Sequence, residues 1–263
     1  MAETAAAIRG NARHRNPESN VPRKTLPESS HPRRSAKPRL HQPRGMTRSP
    51  RLEYSGALYH VTARGVRQDA IFVDDRDRLS LLTILARSLR TCDARIFAFC
   101  LMGNHYHFVL QTHQANLSAL MHRVNSTFSL TFNRRHGRRG QVFDGRFKAL
   151  HVDRDAYLLE VCRYVDLNPV RAGLVESPGE WLWSSYGAHT GRRPAIPWLA
   201  TAEMLSVLTG QVSQDATLMA AAQRQYADWV DAGIGVPLWK RSLRHGLYLG
   251  DEAFVERMMP RSP

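Results

Sequence analysis

Cysteine is scarce in this chain: Cys92, Cys100 and Cys162 are the three among 263 residues. None pairs with another at CxxC spacing, which excludes a redox dithiol or a zinc ribbon built on that motif. An odd, sparse count without a signal-peptide-like apolar run points to a reducing compartment rather than a disulfide framework. Long hydrophobic runs are missing too. No stretch approaches the ~20 apolar residues that a membrane-spanning helix needs. No internal repeat is visible. The expectation is a cytoplasmic protein with no membrane partner.

Acidic residues are also few, 23 Asp and Glu against 37 Lys and Arg, for a net charge of +14. The excess is uneven. Residues 1–50 hold eleven Lys or Arg against three Asp or Glu, a net +8, together with seven of the fourteen prolines. Large apolar side chains are nearly absent there, so the segment buries too little surface to offset its ordering entropy. Residues 1–50 are therefore expected to be a disordered, basic, Pro/Arg-rich tail. Such arms either contact nucleic acid non-specifically or stay solvated.

Hydrophobic periodicity organises the remainder. Leu58 to Arg64 alternates and is rich in strand formers. Asp74 to Thr91 opens on acidic residues and carries leucines at 79, 82, 85 and 89, as a helix does. Arg95 to Met102 and His105 to Gln111 read as two strands joined through Gly103-Asn104. A helix is predicted from Asn116 to about Asn133, a fourth strand from Phe147 to Val152, and then a helix starting near Asp153 or Asp155. Pro169 disfavours helical geometry at Asn168, so that helix is expected to end there. The order βαββαβ plus a helix predicts an α+β fold: a ferredoxin-like antiparallel sheet with helices on one face. Helical stretches around 201–209 and 216–231 predict a mostly helical C-terminal extension over 176–263, following a first domain over 51–175. Trp181, Trp183 and Tyr186 are expected to pack against that domain.

Within the second strand pair, Met102-Gly103-Asn104-His105-Tyr106-His107-Phe108-Val109-Leu110 carries the most chemistry. A side-chain period of two puts His105 and His107 on one face and Tyr106 on the other. Two imidazoles on a stiff pleat suit metal ligation, or equally two core histidines bonded to neighbouring carbonyls. Downstream, Tyr164 and Asn168 are four apart and share a helix face. If that face meets the histidines, a phenol, an amide oxygen and two imidazoles converge, as phosphodiester transesterification requires. Otherwise Tyr164 is a packing residue and Asn168 a helix cap.

Several motifs in series resemble the single-tyrosine HUH transposases, in particular the REP-associated tyrosine transposases. They are Leu52-Glu53-Tyr54, Leu58-Tyr59-His60-Val61-Thr62-Ala63-Arg64-Gly65, Ile71-Phe72-Val73-Asp74-Asp75, the HYH segment, the run from Asn133 to Lys148, Arg163-Tyr164-Val165-Asp166-Leu167-Asn168-Pro169-Val170, and Trp183-Ser184-Ser185-Tyr186. Together they span roughly half the chain. The resemblance implies His105, His107 and Asn168 as ligands of a divalent metal, Mg2+ or Mn2+, and Tyr164 as a nucleophile forming a 5′-phosphotyrosine link. Histidine is an unusual ligand for Mg2+, which favours Mn2+ as an equal or better partner. It implies single-stranded or hairpin DNA, of the repetitive extragenic palindrome type, as substrate for DNA transposition, handled by a monomer or homodimer. Gly103 stands where the family usually has proline, with little consequence expected. Family members commonly begin with a stretch like the one after Met46, which makes Met46 an alternative start and residues 1–45 a start-site artefact.

Arg134, Arg135, Arg138 and Arg139 bunch in a short glycine-containing run and, with Arg146 and Lys148, are expected to contact DNA. Phe143 and Phe147 fit core positions better than base-stacking ones. Two other readings stay open: a domesticated, non-catalytic binder of structured DNA or RNA repeats, and a metallohydrolase recruiting His60 and His151 as further ligands.

Overall fold

The computed structural model describes residues 51–211, 215–237, 243–244 and 246–258. The expected basic tail, residues 1–50, lies outside the described residues. Four long strands carry the core: β1 (Leu58–Arg64), β2 (Ala94–Leu101), β3 (His105–Thr112) and β4 (Lys148–Val152). Their order is β2-β3-β1-β4 with every neighbour antiparallel, which is the ferredoxin-like arrangement. Two-residue strands from the extension lengthen the β4 edge: β6 (Tyr248–Leu249) runs parallel to β4, and β5 (Leu243–Arg244) is antiparallel to β6.

Between β1 and β2 runs α1 (Asp75–Thr91), capped by Asp74, whose carboxylate accepts the N–H groups of Arg76 and Asp77. Leu81, Leu82, Leu85 and Leu89 are its buried stripe. Gly103-Asn104 turns the chain between β2 and β3, and the Met102 N–H donates to the His105 carbonyl at 2.9 Å. The next helix, α2 (Leu117–His136), runs three residues past its expected end and takes Arg134 and Arg135 into its last turn. It stops at Gly137, which adopts the left-handed φ of 61° that glycine accepts without steric cost.

Helices α1 and α2 share one face of the sheet. Tyr106 points to that side and donates its hydroxyl to Asn125 of α2 at 2.6 Å. The appended helix, α3 (Arg154–Asp166), covers the other face, where His105 and His107 project. Its end falls within two residues of the expected one, but a second helix follows at once. α3 ends at Asp166, and a short α4 (Asn168–Arg171) begins with Pro169 in its first turn. A first-turn proline forfeits no intrahelical bond, so Pro169 starts a helix here rather than stopping one.

The extension contributes α5 (Tyr186–His189), α6 (Thr201–Thr209), α7 (Ala216–Asp231) and α8 (Glu252–Met258). Trp181, Trp183 and Tyr186 are buried against the domain as expected. The Trp181 indole donates to the Leu101 carbonyl, and the Leu101 N–H to the Trp183 carbonyl. Among the described residues, no helix is long and apolar enough to cross a membrane.

Candidate active site

Strand register builds the first wall of the site. Across the sheet His107 pairs with Thr62, His105 with Arg64, and Lys148 with Thr62. Directly paired residues project to the same face, so these five side chains share one surface. The ring centroids of His105 and His107 lie 5.0 Å apart.

Neighbouring groups fix how each imidazole presents itself. The Asn104 amide donates Nδ2–H to the Gln68 carbonyl at 3.0 Å, which turns its Oδ1 toward His105 Nδ1, 2.7 Å away. That oxygen only accepts, so His105 carries its proton on Nδ1 and leaves a lone pair on Nε2. His107 Nδ1 lies 2.9 Å from His60 Nε2. When His107 donates in this pair, its own Nε2 is a bare lone pair. That Nε2 is buried and has no hydrogen-bond partner among the described residues. An orphaned buried nitrogen is costly, and a cation would satisfy it. Burial pushes His60 down to about 4; burial and then Arg64 do the same to His105. Burial, then His60, His105 and Arg64, hold His107 well below the usual range. All three rings are neutral near pH 7, the form that ligates metal.

Helix α3 builds the second wall. Tyr164 sits in its last turn, and its ring meets His60 and His107 edge-on, at centroid distances of 5.8 and 6.0 Å. Leu167 keeps right-handed helical angles (φ −84°, ψ −3°), so the i,i+4 relation of Tyr164 to Asn168 survives the break between α3 and α4. The Asn168 Nδ2 donates to the Tyr164 carbonyl at 3.0 Å, which leaves Oδ1 as the amide's remaining acceptor. Arg171 places its guanidinium 5.4 Å from the Tyr164 ring centroid.

A cleft of about 280 Å³ lies between the walls and is lined by His105, His107, Tyr164, Asn168, Arg146 and Lys148 among others. Six of the ten expected site residues thus meet in one place. The other four do not line it. Arg135 is engaged instead by Asp74 and Asp77 at the start of α1, and Arg138 stands over the Phe132 ring. Phe143 and Phe147 are buried, as expected of core residues. Four cleft residues, Thr62, Ala63, Arg64 and Asp144, escape the sequence reading, and two of them, Arg64 and Asp144, are ionisable. Arg64 had a usable signal in its strand periodicity, but only pairing with β3 puts it beside His105. Asp144 arrives through the bonding of its own N–H to the Arg64 carbonyl, which no local pattern encodes.

The donor set fits a divalent cation with mixed ligands. Among the described residues no group of three or more His, Cys, Asp or Glu is arranged to hold a metal ion. His60 is engaged by His107, and His151 lies in a separate stack with Tyr54 and Tyr248. An ion here would take two imidazoles and fill its remaining positions with oxygen, for which Asn168 is placed.

Residues 53–168 match the family model of the IS200-like transposases. The matched span begins just before β1 and closes on Asn168, so it holds both walls of the cleft. Over that span the chain is similar to the IS200-like transposases. A solved structure of a REP-associated tyrosine transposase bound to a REP hairpin is similar over 56% of this chain and 87% of its own, at 17% identity and a TM-score of 0.48. No curated protein matches the chain. The matched span leaves out α5, α6, α7 and α8, all of which follow it in the chain.

Proposed function

We propose that this chain is a DNA strand transferase that cleaves and rejoins single-stranded DNA at hairpin-marked repeat ends, with Tyr164 as nucleophile. The observation that carries this reading is the meeting of Tyr164 and Asn168 with His105 and His107 in one cleft of a transposase domain. Tyr164 Oη attacks a backbone phosphorus and forms a new P–O bond. The bond from that phosphorus to the upstream 3′-oxygen breaks, the oxygen leaves as a 3′-hydroxyl, and the 5′ end stays on the tyrosine. A 3′-hydroxyl of another end reverses the step and rejoins the strand.

A phenol ionises near pH 10, so the attack needs its proton removed. Asp144 supplies a carboxylate in the same cleft. His105, His107 and Asn168 would hold the divalent metal, Mg2+ or Mn2+, which when bound supplies a Lewis acid for the phosphoryl oxygen. Arg146 and Lys148 neutralise the phosphates beside the scissile one. Arg146 also lines a larger open groove of about 970 Å³ beside α2, together with Arg51, Asn133 and Gln141. That groove gives the strand a positive approach to the cleft.

The deciding experiment mixes the protein with single-stranded oligonucleotides from the repeats flanking its gene, with Mn2+ or Mg2+, and resolves the products on denaturing gels. A slower protein band that needs metal and vanishes with Tyr164→Phe is the expected result. Cleavage that persists in Tyr164→Phe indicates hydrolysis by water. Tight binding with no adduct indicates the non-catalytic binder.

A further inference from the structure

A buried polar cluster behind the Tyr164 helix lines no part of the cleft. Asp166 is fully buried at the end of α3. Its Oδ1 accepts the Ser185 hydroxyl at 2.7 Å, and its Oδ2 accepts the Tyr226 hydroxyl at 2.8 Å and faces His189 Nδ1 at 3.1 Å. His189 and Tyr226 are also fully buried, with their rings perpendicular at 5.4 Å. Burial, reinforced by Asp166, pushes the Tyr226 phenol well up, so it remains a donor at neutral pH. A carboxylate taken out of water must be satisfied by such partners, and all three lie beyond the matched transposase domain.

The cluster is one of several contacts that seat α3 and α4 on the extension. The Arg163 guanidinium lies 4.0 Å from the Trp229 ring centroid, and Arg171 donates to the Val236 carbonyl at 3.2 Å. Ser185 ties the same cluster to the sheet, since its N–H donates to the Phe99 carbonyl of β2. Two residues of α-helix turn the side chain by about 200°, so Asp166 leaves the helix from a different side than Tyr164. The phenol meets the histidines while the carboxylate is held from behind.

We propose that Asp166 is a positioning residue for Tyr164, and that Ser185, His189 and Tyr226 act through it to fix the rotation and height of α3 over the histidine pair. The extension is then part of the reaction machinery rather than an appendage. The nucleophilic role of Tyr164 is taken from the function proposed above.

Tyr226→Phe is the mildest test, since it deletes one hydroxyl and keeps the ring; Asp166→Asn is the stronger companion. Each full-length variant is compared with wild type for oligonucleotide affinity, for the rate of adduct formation at saturating oligonucleotide, and for hydrogen exchange over residues 154–171. Misplaced reacting groups cost catalysis steeply, so Tyr226→Phe should slow adduct formation by about 10- to 100-fold while affinity stays within about twofold. Exchange should accelerate over α3 and α4 but not over β3. A rate unchanged from wild type, or one that falls only with the folded fraction, overturns the inference. Should wild type form no adduct, the transesterase reading fails, and exchange alone decides the anchoring: faster exchange in α3 supports it, and unchanged exchange overturns it.

Discussion

The two walls of the cleft are held in different ways. His105 and His107 stand on β3, which is laddered on both sides by β1 and β2, and their orienting partners, Asn104 and His60, come from the same sheet or the turn leading into it. Tyr164 stands on a helix whose end is bonded by side chains from outside the matched span, the farthest of them 60 residues downstream. A ladder of main-chain bonds makes the ligand platform self-sufficient. The Tyr164 helix borrows its position. Such a division suits the proposed reaction, in which the groups that would hold the metal stay fixed while Tyr164 must be placed and, once esterified, would carry a DNA end.

Substitutions that separate binding from chemistry break the comparison most sharply. Tyr164→Phe should reduce covalent adduct by at least about 10³-fold, because nothing replaces the nucleophile. Mn2+ affinity, measured by calorimetry, should be unchanged within about twofold. A parallel loss of metal affinity would show that the walls are not separable. His60→Phe tests the other wall. The ring keeps its packing but loses the bond that orients His107, and loss of such an outer partner costs about 10- to 100-fold in metal affinity. Adduct formation should recover at high Mn2+. If it does not, His60 acts on more than the ligand.

The same contrast explains what could be read from the chain alone. The histidine wall was legible because strand periodicity is local: HYH fixes its own geometry within three residues. Tyr164 and Asn168 were legible as an i,i+4 pair, and the helix ends within two residues of the place Pro169 suggested, although Pro169 also opens the short helix that follows. The ferredoxin-like core follows from element order, and the strand order observed matches it. Contacts between distant segments were not legible. Nothing around Asp166 announces Tyr226, and nothing around Arg64 announces His105. The basic run from Arg134 to Arg139 shows the same limit: charge density suggests phosphate, while the acidic partners of Arg135 lie about 60 residues upstream, out of reach of any local pattern.

Two basic groups near the cleft sharpen the picture at a smaller scale. Arg146→Ala and Lys148→Ala should each weaken single-stranded DNA binding by a similar factor for every sequence. Each should also reduce the steepness of the salt dependence by about one, as expected for loss of one phosphate contact. Titrations at several salt concentrations measure both. A loss restricted to one sequence would instead make the residue a reader of bases.

Arg135→Ala should have the smallest effect on DNA and a visible one on stability, since its guanidinium is already committed to Asp74 and Asp77. DNA affinity should stay within about twofold at fixed salt. The stability effect has a definite pH signature. Bonding to Arg135, and then the N–H groups of Arg76 and Asp77, holds the Asp74 carboxyl down at about 2, below its unfolded value of about 4. A depressed carboxylate contributes stability above its unfolded value and loses it as pH falls through the folded one. The melting temperature of Arg135→Ala should therefore lie below wild type at pH 7, with the gap narrowing from about pH 4 down to about pH 2. Asp74 and Arg135 are both partly exposed, so salt should narrow the gap as well. A gap independent of both pH and salt would move the role of Arg135 from pairing to packing. A large loss of DNA binding would return the whole arginine run to the DNA interface.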